Sequence, residues 1–195
     1  MNYPLLLEFK MFSLSTKIVI SDATGQIIMF AKQKMFKLKE SISVFSDEAM
    51  TQQLYTIDAN KVIDFSAQYN FTDMHQQPIG AVRRKGIKSI WKAHYEIVKN
   101  DQIEMIITEE DPWVKFFDAL LSSIPFLNFI SGYVFHPSYL VHTESGKEIM
   151  RLKKLSSFLE RKFSIEKLDQ SLNEKDEKKV LLTLFMLVLL ERPRG

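Results

Sequence analysis

The strongest constraint on this chain is its one long apolar run, Val180 to Leu190, near the C-terminus. As a helix at about 1.5 Å per residue it spans roughly 17 Å, well short of a ~30 Å hydrocarbon layer. A segment that is apolar on every side and too short to cross a bilayer must be enclosed by protein. Its approach is polar. Asn173 can cap a helix, and Glu174, Asp176 and Glu177 occupy the first turns, where the helix dipole favours negative charge. Arg192 and Arg194 have the favourable sign at the other end. The sequence therefore predicts a buried helix from Asn173 to about Arg192.

The rest of the chain supplies an enclosure made mostly of strands. Ile63, Phe65, Ala67, Tyr69 and Phe71 alternate with Asp64, Ser66, Gln68, Asn70 and Thr72, the period of two that marks a sheet with one buried face. Phe36, Leu38, Ile42 and Val44 alternate likewise with lysines and serines. Tyr95 and Ile97, and then Ile103, Met105 and Ile107, repeat the pattern. Polar turns separate these runs: Asp22–Gly25, His75–Gly80, Lys99–Asp101 and Glu144–Gly146. Strands joined this closely form consecutive antiparallel hairpins. A second helix is predicted to open at Asp111-Pro112, with Trp113, Phe116, Phe117, Leu120 and Leu121 on one face and Pro125 beyond its end. A mainly β fold follows, a closed antiparallel barrel around the C-terminal helix, because closure surrounds the helix and removes strand edges. Packing of the helix on one face of an open sheet satisfies the same pattern. No linker or repeat divides the chain, so 1–195 reads as a single domain.

The chemistry-bearing residues are sparse. Without cysteine there are no disulfides, thiolate metal sites or cysteine nucleophiles. His75, His94, His136 and His142 lack metal-ligand spacing, and no nucleophile elbow or glycine-rich phosphate loop is present. Asp169, Ser171, Asn173 and Glu177 imitate a calcium loop, yet Glu174 stands where glycine is needed and Val180 where a bidentate glutamate is needed. No enzyme, metal or cofactor is expected. Met1 to Phe12 lacks the build of a signal peptide, and a cytoplasmic location is expected.

Basic residues cluster in three places: Arg83, Arg84, Lys85 and Lys88; Lys32, Lys34, Lys37 and Lys39; and Lys153, Lys154, Arg161 and Lys162. With a net charge of +2 the chain has no general drive toward nucleic acid. Local clusters can still hold anionic head groups, although solvated strand faces account for the same pattern. Trp113 to Phe135 is rich in aromatics, fitting either a plug for one barrel mouth or a membrane-touching face.

The strand meander, the segment Gly80-Ala-Val-Arg-Arg-Lys-Gly86 leading to Trp91, the runs Ile149–Lys154 and Phe158–Ile165, and the terminal apolar helix together resemble the tubby C-terminal-like superfamily. That group includes LURP-one-related proteins and phospholipid scramblases. The resemblance implies about twelve strands closed around a hydrophobic helix. It also implies a non-enzymatic binding domain, peripheral to an anionic membrane, with Arg83, Arg84, Lys85 and Lys88 as head-group ligands. A cytosolic scaffold role is the alternative. Scrambling is not expected, since the helix is short and the calcium segment is missing.

Overall fold

The computed structural model of the protein describes residues 1–12, 15–34, 41–60, 68–84, 94–110, 138–157 and 161–190. These hold twelve strands: β1 Leu5–Phe12, β2 Ser15–Ser21, β3 Ile27–Lys34, β4 Ser41–Phe45, β5 Gln53–Asn60, β6 Gln68–Asp73, β7 Pro78–Arg84, β8 His94–Lys99, β9 Gln102–Glu109, β10 Ser138–His142, β11 Glu148–Leu155 and β12 Arg161–Lys167. Each pairs antiparallel with the next. β12 returns to β1, with Leu5 opposite Ile165 and Phe9 opposite Arg161, so the sheet closes into a barrel. Closure decides against the open sheet. The predicted helix at Asp111, the aromatic segment through Phe135, and Arg192 and Arg194 lie outside the described residues, as does the first part of the run from Ile63 to Phe71.

Alternation builds the wall. Along β6, Tyr69 and Phe71 are buried inside while Gln68, Asn70 and Thr72 face outward. The turns work by local hydrogen bonding. Asp22 accepts bonds from the Thr24 hydroxyl (2.6 Å), the Thr24 amide (2.9 Å) and the Gln26 amide (3.2 Å), while Gly25 supplies a left-handed φ of 85°. Asp73 repeats the device toward the His75 and Gln77 amides, at 2.8 and 2.9 Å. That turn is shorter than the sequence suggested: Pro78, Ile79 and Gly80 already belong to β7, where proline stands at the first strand position. Lys99 pairs with Gln102, leaving Asn100 and Asp101 as a two-residue hairpin loop with positive φ at both.

The Thr24 hydroxyl, followed by backbone amides, holds the Asp22 carboxyl down at about 2. A carboxylate lowered on folding adds stability that is full above its unfolded value, about 4, and is lost as pH falls through its folded one. Asp22→Asn should therefore flatten the acid limb of the stability curve between about pH 4 and 2, read by chemical denaturation at each pH.

The helix, α1, spans Glu174–Leu190 and lies within the barrel. Asn173 caps it, its side-chain oxygen accepting the Asp176 amide at 3.0 Å. Residues Val180 to Leu189 are all buried, and Leu190 is half-buried at the far mouth. Each enclosed Leu, Val or Phe contributes roughly 1.5–3 kcal/mol relative to exposure, so the helix is the barrel's core. Its polar entrance is also enclosed. Glu177 accepts bonds from the Tyr3 hydroxyl (2.6 Å) and Lys167 (3.1 Å). Burial, reinforced by Glu177, pushes the Tyr3 phenol far above its ordinary range. Lys179 is 0% exposed and pairs with Glu104 and, at 2.9 Å, with Asp176. Burial raises the Asp176 carboxyl, and the bonds from Lys179 and Asn173 outweigh it to leave the group lowered.

Candidate functional site

A meander places alternate links at opposite rims. The turns after β2, β4, β6, β8 and β10, and the link from β12 to α1, share one rim with the helix N-terminus. Asp22, Asp47, Asp73, Asp101, Glu144, Asp169 and Glu174 lie there, outnumbering Lys99, Lys147, Lys175 and Lys178. The strand halves running to the other rim carry Lys10, Lys17, Lys32, Arg83, Arg84, Lys153, Lys154, Arg161 and Lys162. Among the described residues charge is thus biased along the barrel axis, and the described members of all three basic clusters meet at one end, where they outnumber Asp58, Glu96, Glu109 and Glu110.

Register divides these cations between the two faces of the wall. Arg84 follows inward-facing Val82 and stands opposite buried Tyr95. Lys154 stands opposite Phe163, and Arg161 opposite Phe9, both core residues. All three therefore lie on the inner face at the mouth where α1 ends. The helix has no basic residue in its last turn, so the wall supplies the positive charge that suits its negative dipole end. Lys10, Lys17, Lys32, Arg83, Lys153 and Lys162 alternate onto the outer face.

On that outer face Arg83 is held by a buried carboxylate. Its Nε and Nη2 donate to Glu96 Oε2 at 3.0 and 2.7 Å, and Glu96 is 1% exposed. Of the predicted head-group quartet, the structure therefore sets Arg83 in an ion pair outside the barrel and Arg84 on the inner face. Lys85 and Lys88 lie outside the described residues, as do Lys37 and Lys39.

Sequence reasoning overlooked a row of three lysines. Lys10 is opposite Lys17, and Lys17 is opposite Lys32, across β1, β2 and β3. Neighbouring strands lie about 5 Å apart, and like charges directly opposite one another destabilise a sheet. Carboxylates offset part of this repulsion: Glu8 lies 3.5 Å from Lys10 and 3.0 Å from Lys162, and Glu48 3.1 Å from Lys17. Burial pushes the Glu8 carboxyl up, and Lys162 and Lys10 together outweigh it to hold the group below its ordinary value. Lys32 is exposed. The row concentrates positive charge where an anion with several oxygens could bridge neighbouring ammonium groups. The parity of the meander was the signal that could have revealed it, since Lys10 and Lys17 flank the same link.

The calcium-like stretch has another occupation. Asp169 accepts from the Ser171 hydroxyl and amide, at 2.6 and 3.0 Å, and pairs with Lys147 at 2.6 Å. The Lys147 ammonium, then Ser171, holds its carboxyl at about 2. Among the described residues no group of three potential metal ligands converges. No helix among them is long and apolar enough to cross a membrane.

No curated protein and no solved structure matches the chain. The family model described as LURP-one-related matches residues 27–122, from the first residue of β3 past the end of β9. With a closed twelve-stranded barrel built around an apolar helix, the chain carries a LURP-one-related domain at residues 27–122, of a family within the tubby-like superfamily.

Proposed function

We propose that this is a non-enzymatic, cytoplasmic domain that docks peripherally on anionic membrane surfaces, with the basic rim of the barrel toward the lipid. The axial separation of charge carries this reading. A nearly neutral protein with scattered charge would feel no orienting force, whereas one polarised end to end is turned and held by a negative surface. The row Lys10, Lys17 and Lys32 provides closely spaced ammonium groups on the outer wall at that end, and Lys153 adds another exposed cation. Arg84, Lys154 and Arg161 serve the helix end instead.

Each Lys or Arg near such a surface contributes about 1 kcal/mol. Lys17→Gln with Lys32→Gln should therefore weaken binding to phosphatidylserine-containing vesicles about thirtyfold at low salt, measured by co-sedimentation. The wild-type chain should lose affinity as salt rises and ignore neutral phosphatidylcholine vesicles. Absence of binding to anionic vesicles at low salt, or equal binding to neutral ones, would remove the lipid reading.

A further inference from the structure

The outer wall of β6, β7 and β8 holds a cavity of about 250 Å³. Register explains it. Asn70 is opposite Ala81, and Ala81 is opposite Val98, while the neighbours Phe71, Val82 and Ile97 face the core. Asn70, Ala81 and Val98 therefore point outward. Alanine on the middle strand leaves a trough between taller side chains. Gln68, Asn70 and Thr72 of β6 line one side, and Lys99, Asn100 and Asp101, at the β8–β9 turn, line the other. Small-molecule sites usually measure ~300–1,000 Å³, so the occupant belongs at or below the small end of that range.

The lining is polar and in part unmatched. Gln68 Nε2 donates to Asn70 Oδ1 at 2.9 Å, so the pair presents the Gln68 oxygen as an acceptor and the Asn70 NH2 group as a donor. Among the described residues the Thr72 hydroxyl is buried without a hydrogen-bond partner. A buried hydroxyl ordinarily has one, from protein or solvent. Lys99 and Asp101 bring opposite charges to the same opening. Asn100 and Asp101 have φ of 51° and 61°, which sets the turn between the strands. Among the described residues neither charge forms an ion pair, although Lys99 feels the Asp176 carboxylate at longer range. An ammonium and a carboxylate that stay apart in one tight turn match a molecule carrying the reverse pair. A neutral sugar would use the amides and leave both charges idle.

We propose that this cavity binds a small zwitterion of the amino-acid type, a free amino acid or a dipeptide. Lys99 receives its carboxylate and Asp101 its ammonium, while Asn70, Gln68 and Thr72 serve its remaining polar groups. The cavity lies toward the rim where α1 begins. The lipid reading uses the opposite rim, so either can fail alone.

The test titrates the full chain, labelled on nitrogen for NMR, with L-alanyl-L-alanine up to ~50 mM at low salt. Saturable binding should move the side-chain NH2 signals of Asn70 and Asn100 and leave those of Gln33 and Gln53 in place. The same peptide with its carboxyl amidated should bind about fivefold more weakly, the loss expected for one exposed charge pair. Lys99→Gln should weaken the free peptide by the same factor and leave the amidated one unaffected. Asp101→Asn should weaken the free peptide and leave its N-acetylated form unaffected. The proposal is overturned if the dipeptide does not bind, or if it binds without moving the Asn70 and Asn100 signals. It is also overturned if glucose at the same concentration moves them equally, or if Lys99→Gln weakens the free and amidated peptides alike.

Discussion

Leu184→Asp should leave no folded barrel: a far-UV spectrum of unfolded chain and collapse of the dispersed NMR spectrum are the expected result. Leu184 is 0% exposed near the middle of α1, and Leu181, Leu187 and Val188 on the same helix are buried with it. The nearby polar side chain offers little rescue, because the Thr183 hydroxyl already donates to the Lys179 carbonyl at 2.9 Å. Removing a buried leucine side chain costs about 2–5 kcal/mol, and enclosing an unpaired carboxylate costs several more. Together these come to roughly 5–10 kcal/mol, comparable to the roughly 5–15 kcal/mol that holds a domain of ordinary stability. The conservative Leu184→Met change keeps volume and polarity and should cost less than about 1.5 kcal/mol. A folded Leu184→Asp protein with a native-like spectrum would mean that the helix can leave the barrel, and enclosure would no longer be the basis of the fold.

The same helix shows what the sequence could and could not disclose. Enclosure of Val180 to Leu189 was legible, because no other treatment of such a segment satisfies the hydrophobic effect. The alternation around Tyr69 and Phe71 was legible too, as was the turn chemistry of Asp22 and Gly25, since both depend on residues within a few positions of one another. Lys179 was not. Beside Lys175 and Lys178 it reads as part of a solvated lead-in, whereas the fold buries it against Glu104, seventy-five positions away in sequence. The basic clusters were visible as separate stretches. Their convergence is a property of strand parity and closure. Register alone assigns Arg84 to the inside and Arg83 to the outside, although they are neighbours in the chain.

Lys179 also has a steric role, which leads to a coupled pair of substitutions. Gly80 in β7 has φ of 157°, and a Cβ there would meet Lys179 Cδ at 2.9 Å, the Val98 carbonyl oxygen at 3.1 Å and Lys179 Cγ at 3.3 Å. The wall can thus approach the helix only because residue 80 lacks a side chain, and the lysine stem fills the space left. Gly80→Ala should destabilise by about 2–3 kcal/mol, lowering Tm by roughly 5–10 °C in a chain of this length. In an ordinary flexible contact the lysine would swing aside, but here its ammonium is held by Glu104 and Asp176 and its stem is fully buried. Lys179→Ala should therefore cost about 1 kcal/mol less in the Gly80→Ala background than in the wild type, a coupling read by a double-mutant cycle, although each substitution alone destabilises. The coupling stays below the whole cost of Gly80→Ala because the Val98 carbonyl and the backbone angle are unchanged by the second substitution. Zero coupling would show that the alanine methyl is accommodated without touching the lysine, and the packing between β7 and α1 would need another explanation.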